Sequence, residues 1–211
     1  TRTEASGEKL NVKISGLKGG HSGSEIDKNR ANANILLGKF LYGLKKTTEF
    51  DLISVHGGQK DNAITRESGA ELLVMKEDMD SVKKFAEKIQ KAWREEYAGT
   101  DENITVTVTE EGEKEEKVLH PISREKVIFY LINVPYGIQK MSGTIEGLVE
   151  TSSNIGILVT SENEVTATSS VRSSVESARD AISDKIEYLT EFLGGEYETQ
   201  GAYPAWEYRK E

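Results

Sequence analysis

Leu10-Asn-Val-Lys-Ile-Ser15 alternates apolar and polar residues and runs into Gly16-Leu-Lys-Gly-Gly-His-Ser-Gly23, the stretch from which the fold is read. A period of two places Leu10, Val12 and Ile14 on one face of a strand that Gly16 stops. From Asn32 to about Lys46 the period changes, and Ile35, Leu36, Phe40, Leu41 and Leu44 recur at helical spacing. Leu52, Ile53 and Val55 make a second strand ending at Gly57–Gly58, and Ala70 to Met75 make a third. Asp80 stands as the N-cap of a second helix, with Val82, Phe85, Ile89, Ala92 and Trp93 as its stripe and Gly99 closing it. Ile104, Val106 and Val108 alternate with threonines as a fourth strand. This order, βαββαβ, is the split βαβ arrangement, an antiparallel sheet with both helices on one face.

The run Glu110-Glu-Gly-Glu-Lys-Glu-Glu-Lys117 reads as an exposed turn or charged linker. Past it, Pro121 suits the first turn of a helix carrying Val127, Ile128, Leu131 and Ile132. A β-rich stretch follows from Leu148 to Val159, turns at Ser161 to Asn163, and returns through Val165, Ala167 and Val171. A long helix from about Ser177 to Leu193 is closed by Gly194–Gly195, and a last strand is expected over Tyr197 to Tyr203. The expected class is therefore α+β. Two ferredoxin-like halves, 1–112 and 118–211, joined by the linker at 110–117, would make one domain over 1–211. Two small sheets or one continuous sheet would both satisfy the pattern.

Composition narrows the function. The chain has 211 residues, 36% hydrophobic and 30% charged, which is a globular balance with a heavily solvated surface. Its net charge of −9 and scattered lysines argue against nucleic acid as a partner. No apolar run approaches the ~20 residues a bilayer needs, so no membrane role is expected. There is no cysteine, which removes disulfides and thiolate zinc sites and fits a cytoplasmic location. The first residue is Thr1, as in a processed or excised piece.

Chemistry-bearing motifs are few. The three histidines, His21, His56 and His120, share no metal-ligand spacing, and the GxSxG and P-loop patterns of self-contained hydrolases and kinases are missing. Gly19-Gly-His-Ser-Gly23 is the local exception. Glycines flanking a histidine at a strand end imply a sharp turn or a close approach. His21 there is either an idle, exposed turn residue or a donor to developing negative charge. Asn62 and Arg66 sit in a loop after Gly57–Gly58, where they could bind a peptide group and a carboxylate or simply shape a turn. Arg172 ends an apolar, threonine-rich strand, so its guanidinium needs an anion, structural or bound. Glu150-Thr-Ser-Ser-Asn154 could line a site or cap a sheet edge.

Ser15-Gly-Leu-Lys-Gly-Gly-His-Ser-Gly-Ser-Glu-Ile26 with Asn32-Ala-Asn34 resembles the opening of the lid domain of Xaa-His dipeptidases. These are the aminoacyl-histidine or β-alanyl-histidine dipeptidases, the peptidase D type of metallopeptidase family 20. Gly57–Gly58 with Asn62-Ala-Ile, then Val149-Glu-Thr-Ser-Ser-Asn-Ile-Gly156, then Gly201-Ala-Tyr-Pro-Ala-Trp206 resemble that family in the same order, across essentially the whole chain. The resemblance implies a lid, also used for dimerisation, inserted in a catalytic domain that holds two zinc ions. It implies no metal ligand and no cofactor within this chain. By the resemblance His21 stabilises the tetrahedral intermediate, in its own subunit or across a dimer. Arg172 takes the substrate carboxylate, and Asn62 and Asn154 compete for one asparagine role. Thr65 departs from the family, where many relatives carry proline. The expected partners are the chain's own catalytic domain, a dipeptide substrate and a second copy. A non-catalytic interaction or oligomerisation module is the alternative.

Overall fold

The computed structural model describes residues 1–201. Strand β1 (Arg2–Ser15) leads to a two-residue strand β2 (Gly20–His21) and helix α1 (Ala33–Lys45). Strands β3 (Asp51–Gly57), β4 (Ala63–Ile64) and β5 (Ser68–Val74) precede helix α2 (Met79–Glu96) and strand β6 (Thr105–Leu119). The second half contributes α3 (Pro121–Asn133), β7 (Gly137–Met141), β8 (Val149–Thr160), β9 (Val165–Ser173) and α4 (Glu176–Phe192). Among the described residues seven strands share one antiparallel sheet, in the order β6-β1-β5-β3-β8-β7 with β9 also on β8; β2 and β4 form a separate pair.

The first four long strands follow the expected split βαβ order, with β1 central between β6 and β5. Leu10, Val12 and Ile14 are fully buried beneath α1, whose Leu36, Leu37, Phe40, Leu41 and Leu44 are buried with them. Truncating one such side chain to Ala costs about 2–5 kcal/mol. Gly38 lets α3 approach α1, since a Cβ there would lie 2.5 Å from the Leu131 Cβ. Ile128 and Leu131 of α3 and Leu189 of α4 join the same core, so the helices of both halves serve one face of the sheet. A small cluster of Ile53, Leu73 and Val118 belongs to the opposite face.

The halves meet at a narrow seam. β8 is bridged to β3 only at Gly57–Leu158, and β9 pairs along Thr151–Thr160, so β3 and β7 share the other edge of β8. The Thr160 hydroxyl reinforces the seam, donating to the Val55 carbonyl at 2.7 Å and accepting the Val55 N–H at 2.9 Å. The Arg2 guanidinium donates to the carbonyls of Ile53, Lys117, Ser161 and Glu162, tying the start of the chain to the β8–β9 turn.

Four expectations need correction. Residues 110–117 are no linker: they lie inside β6, and Glu113–Lys117 pair with Ala5–Glu8 of β1. Their charge is paid for across the sheet, where the Lys9 ammonium lies 3.1–3.5 Å from carboxylates of Glu71, Glu111 and Glu116. Asp80 is not the N-cap of α2, which starts one residue before it, after a 3-10 turn at Lys76–Asp78; its carboxylate instead sits in the positive first turn. β7 was not foreseen, and residues 197–201 of the expected last strand are not a strand. The rest of that stretch and most of the Gly201–Trp206 motif lie outside the described residues.

Candidate functional site

The glycine-flanked histidine sits on a loop that is fastened at its base. Asp101, wholly buried just past α2, accepts the Lys18 N–H at 2.8 Å and the Ala31 N–H at 2.9 Å through its two oxygens. Gly16, at φ +80, passes so near the Asn103 carbonyl that a Cβ would stand 1.9 Å from the oxygen. Tyr136 donates its hydroxyl to the Arg30 carbonyl at 2.9 Å. Burial, with Tyr97 and Asp101 nearby, pushes its phenol far above the ordinary value of 10, so it stays a donor.

A second loop supports the first. Gly20 and His21 pair with Ile64 and Ala63, and the Ser22 N–H donates to the Asn62 carbonyl at 2.9 Å. The supporting loop rests on β8. Asn154 is buried and its amide donates to the carbonyls of Asp61 and Ala63, at 3.2 and 2.9 Å. The Asn154 oxygen accepts from Asn32, at 3.0 Å, and the Asn32 oxygen caps α1 by accepting from Asn34 and Ile35. Thr65 is also buried; its hydroxyl reaches the carbonyls of Ile155 and Gly156 and accepts from the Asn34 amide. The hydroxyl at this position therefore bridges helix and strand, which proline could not do.

His21 itself is exposed. Its Nδ1 accepts the N–H groups of Gly23 and Ser24, at 3.0 and 3.3 Å. A nitrogen that accepts carries no proton, so the neutral ring is protonated on Nε2 and offers that atom as a donor. Arg172 reaches the same place from β9, opposite Ser152 in register. A Cβ on Gly23 would lie 3.1 Å from the Arg172 Cζ and 3.1 Å from the His21 Cε1, so the two side chains meet over the bare face of that glycine. Gly23 is the residue that leaves them room. Among the described residues the Arg172 guanidinium has no hydrogen-bond or ion-pair partner, and nor has the Asn62 amide.

His21, Asn62 and Arg172 thus line one broad groove with Gly23 and Asp61. The fold does not bring the other two candidates into it in the same way. Asn154 spends its side chain on the supporting loop, and Arg66 lays its stem over Gly19, 2.2 Å from where a Cβ would be. An N–H donor beside a guanidinium that has no ion-pair partner among the described residues makes a place for an anion or a developing oxyanion, with Asp61 the nearby carboxylate of the lining. Among the described residues no group of three or more His, Cys, Asp or Glu side chains is placed to hold a metal ion. No helix of the described residues is long and apolar enough to cross a membrane.

Several residues that build this site carry no motif of their own. Asp101 and Tyr136 are ordinary residues after helix ends, recognisable only once the loop is closed around them. Glu25 and Asn32 fall within quoted runs, yet their work as an acceptor and as a cap shows only in the structure.

Residues 12–101 match the family model described as a peptidase dimerisation domain. Over 200 residues, 95% of this chain, the sequence is 32% identical to the cytosol non-specific dipeptidase of Escherichia coli (strain K12), covering 41% of that protein. The crystal structure of aminoacylhistidine dipeptidase from Vibrio alginolyticus superposes with a TM-score of 0.93 at 31% identity, over 98% of this chain and 43% of that one. The chain spans less than half the length of either relative. Motif order, an antiparallel sheet with its helices on one face, and these matches agree: residues 12–101 belong to the peptidase dimerisation domains, and the chain as a whole is similar to the matching part of the two dipeptidases.

Proposed function

We propose that this chain is the inserted lid of a cytoplasmic dipeptidase, spanning 1–211 as one unit, and that it closes over a dipeptide held by a separate catalytic segment. The observation that carries the proposal is the meeting of His21 and Arg172 over Gly23, with the guanidinium left without a partner among the described residues. Arg172 takes the C-terminal carboxylate of the substrate in a forked contact. The His21 Nε2–H donates to the oxygen that becomes negative as the peptide carbon turns tetrahedral. Asn62 donates to or accepts from the substrate's backbone. Arg66 adds positive charge beside the loop. Asn154 acts through the loop that it holds.

Two zinc ions in the catalytic segment would supply the activated nucleophile. The residues of this chain orient the substrate and meet the developing charge. Xaa-His dipeptides are the proposed substrates, within a wider range of dipeptides, because the two relatives are described as aminoacylhistidine and non-specific dipeptidases. The cytoplasmic location rests on the description of the E. coli relative and on the absence of cysteine.

The test is Arg172→Met in the intact protein, assayed on dipeptides and on the same dipeptides with an amidated C-terminus. The expected result is a KM for free dipeptides raised about tenfold or more, with the preference over the amides lost. An unchanged KM and an unchanged preference would refute the carboxylate role.

A second role is favoured by the sheet itself. β6 and β9 each have an outer edge unpaired among the described residues, and an open edge is a surface on which copies can pair. Such a module needs no catalysis, and it is compatible with a lid that also dimerises. Sedimentation decides it: a dimer supports pairing, and a strict monomer at high concentration counts against it.

A further inference from the structure

The dipeptide Gly19–Gly20 is enclosed by a small ring of polar contacts. The Arg30 Nη1 donates to the Gly19 carbonyl at 2.8 Å and to Glu25 Oε1 at 3.0 Å. Glu25 Oε2 accepts the backbone N–H of His21 at 2.7 Å. The ring exists because the glycines make room. Gly19 and Gly20 sit at φ +63 and +133, and a Cβ on Gly20 would stand 2.6 Å from Glu25 Oε2 and 2.8 Å from Arg30 Nη1. On its far side His21 is held again, since its carbonyl accepts the Glu25 N–H at 3.0 Å and its Nδ1 accepts from Gly23 and Ser24. His21 is therefore fixed at its N–H, its carbonyl and one ring nitrogen.

We infer that Glu25, braced by Arg30, is a positioning residue that holds His21 as the neutral ring with its proton on Nε2. The functional consequence rests on the reading of His21 given above. A half-exposed ion pair by itself contributes little to stability. This one differs because the carboxylate also takes the amide of the residue that it serves, in a charge-assisted bond. If that amide were released, the turn could relax and Nδ1 could leave the Gly23 and Ser24 amides. The ring could then carry its proton on Nδ1 and present a lone pair at Nε2. A lone pair repels an oxyanion, so the choice of tautomer decides whether His21 helps or hinders. The charged groups around the ring are Arg30 and Arg66 beside the turn, Arg172 across Gly23, and Asp61 in the supporting loop.

The inference is tested on the 211-residue chain labelled with nitrogen-15, by long-range correlation spectra of the imidazoles in mildly alkaline solution. In the natural sequence His21 should show an unprotonated Nδ1 and a protonated Nε2, as one tautomer. Glu25→Ala should give a mixture of tautomers at His21, with the amide signals of α1 unchanged. Glu25→Gln, whose amide oxygen can still accept the His21 N–H, should recover the natural tautomer in larger part; if the alanine variant does not fold, Arg30→Met, which removes the brace and leaves the carboxylate, should give the mixture in its place, and an unaltered tautomer there would overturn the inference. A single, unaltered tautomer in both Glu25 variants would overturn it as well. Turnover by the intact protein then separates the two claims. Mixed tautomers with kcat/KM lowered about tenfold support both. Mixed tautomers with unchanged kcat/KM uphold the role of Glu25 and refute that of His21.

Discussion

The Asn32 amide donates to the Asn154 side-chain oxygen at 3.0 Å, and through that bond the cap of α1 is joined to the strand that carries the supporting loop. Both side chains are buried, and the Asn154 amide passes the connection on to the carbonyls of Asp61 and Ala63, beside the strand that pairs with His21. A helix cap, a sheet strand and a candidate catalytic loop are thereby fixed to each other by two amides.

Asn154→Ala should cost about 2–4 kcal/mol, because it leaves buried donors and acceptors without partners. Urea unfolding would show this as a lowered midpoint with an unchanged slope. A loss under about 0.5 kcal/mol, the size of an ordinary surface substitution, would mean that the node is not structural.

Gly58 and Gly99 share a backbone φ of +83, yet only one of them is crowded. A Cβ at Gly58 would lie 1.8 Å from the Gly156 carbonyl oxygen, whereas one at Gly99 would meet nothing within 4 Å. Gly99→Ala should cost about 1–2 kcal/mol, the backbone penalty alone. Gly58→Ala should cost more, because the Cβ must also push β8 away from the supporting loop. Equal losses in thermal unfolding would contradict the close approach.

Much of this was legible in the sequence. The alternation at Leu10–Ile14 and the helical spacing from Ile35 to Leu44 mark elements whose apolar faces are buried together. Glu110–Lys117 was illegible because a strand on an open sheet face needs no apolar alternation; its side chains pair with Lys9 across the sheet instead. β7 was missed because Gly137-Ile-Gln-Lys-Met141 is short and only partly buried. For the site, glycine placement pointed to His21, and the lone cation at a strand end pointed to Arg172. Asn154 looked like a substrate contact, but burial turned it inward to hold a loop. Asp101 has no local signal, since its two acceptor bonds exist only when Lys18 and Ala31 are brought together by folding.

The His21 turn should respond to acid. The bond from the His21 N–H, and then Arg30, lowers the Glu25 carboxyl from its ordinary value of 4.5. A lowered folded value means that its stabilising effect is present above about pH 4.5 and is lost as the pH falls through the lower value. The backbone amide signal of His21 should therefore shift in that acid range, ahead of global unfolding, and Glu25→Gln should abolish the shift. A His21 amide signal that ignores acid until the chain unfolds would contradict the ring described above.

The measurement closest to the central claim is kcat/KM for dipeptide hydrolysis by the intact protein carrying His21→Ala. Losing a donor to the developing oxyanion should lower it about 10²–10³-fold, chiefly through kcat, with the fold of this chain unchanged. A value equal to that of the natural protein would contradict the account, leaving His21 an exposed residue on a well-built turn.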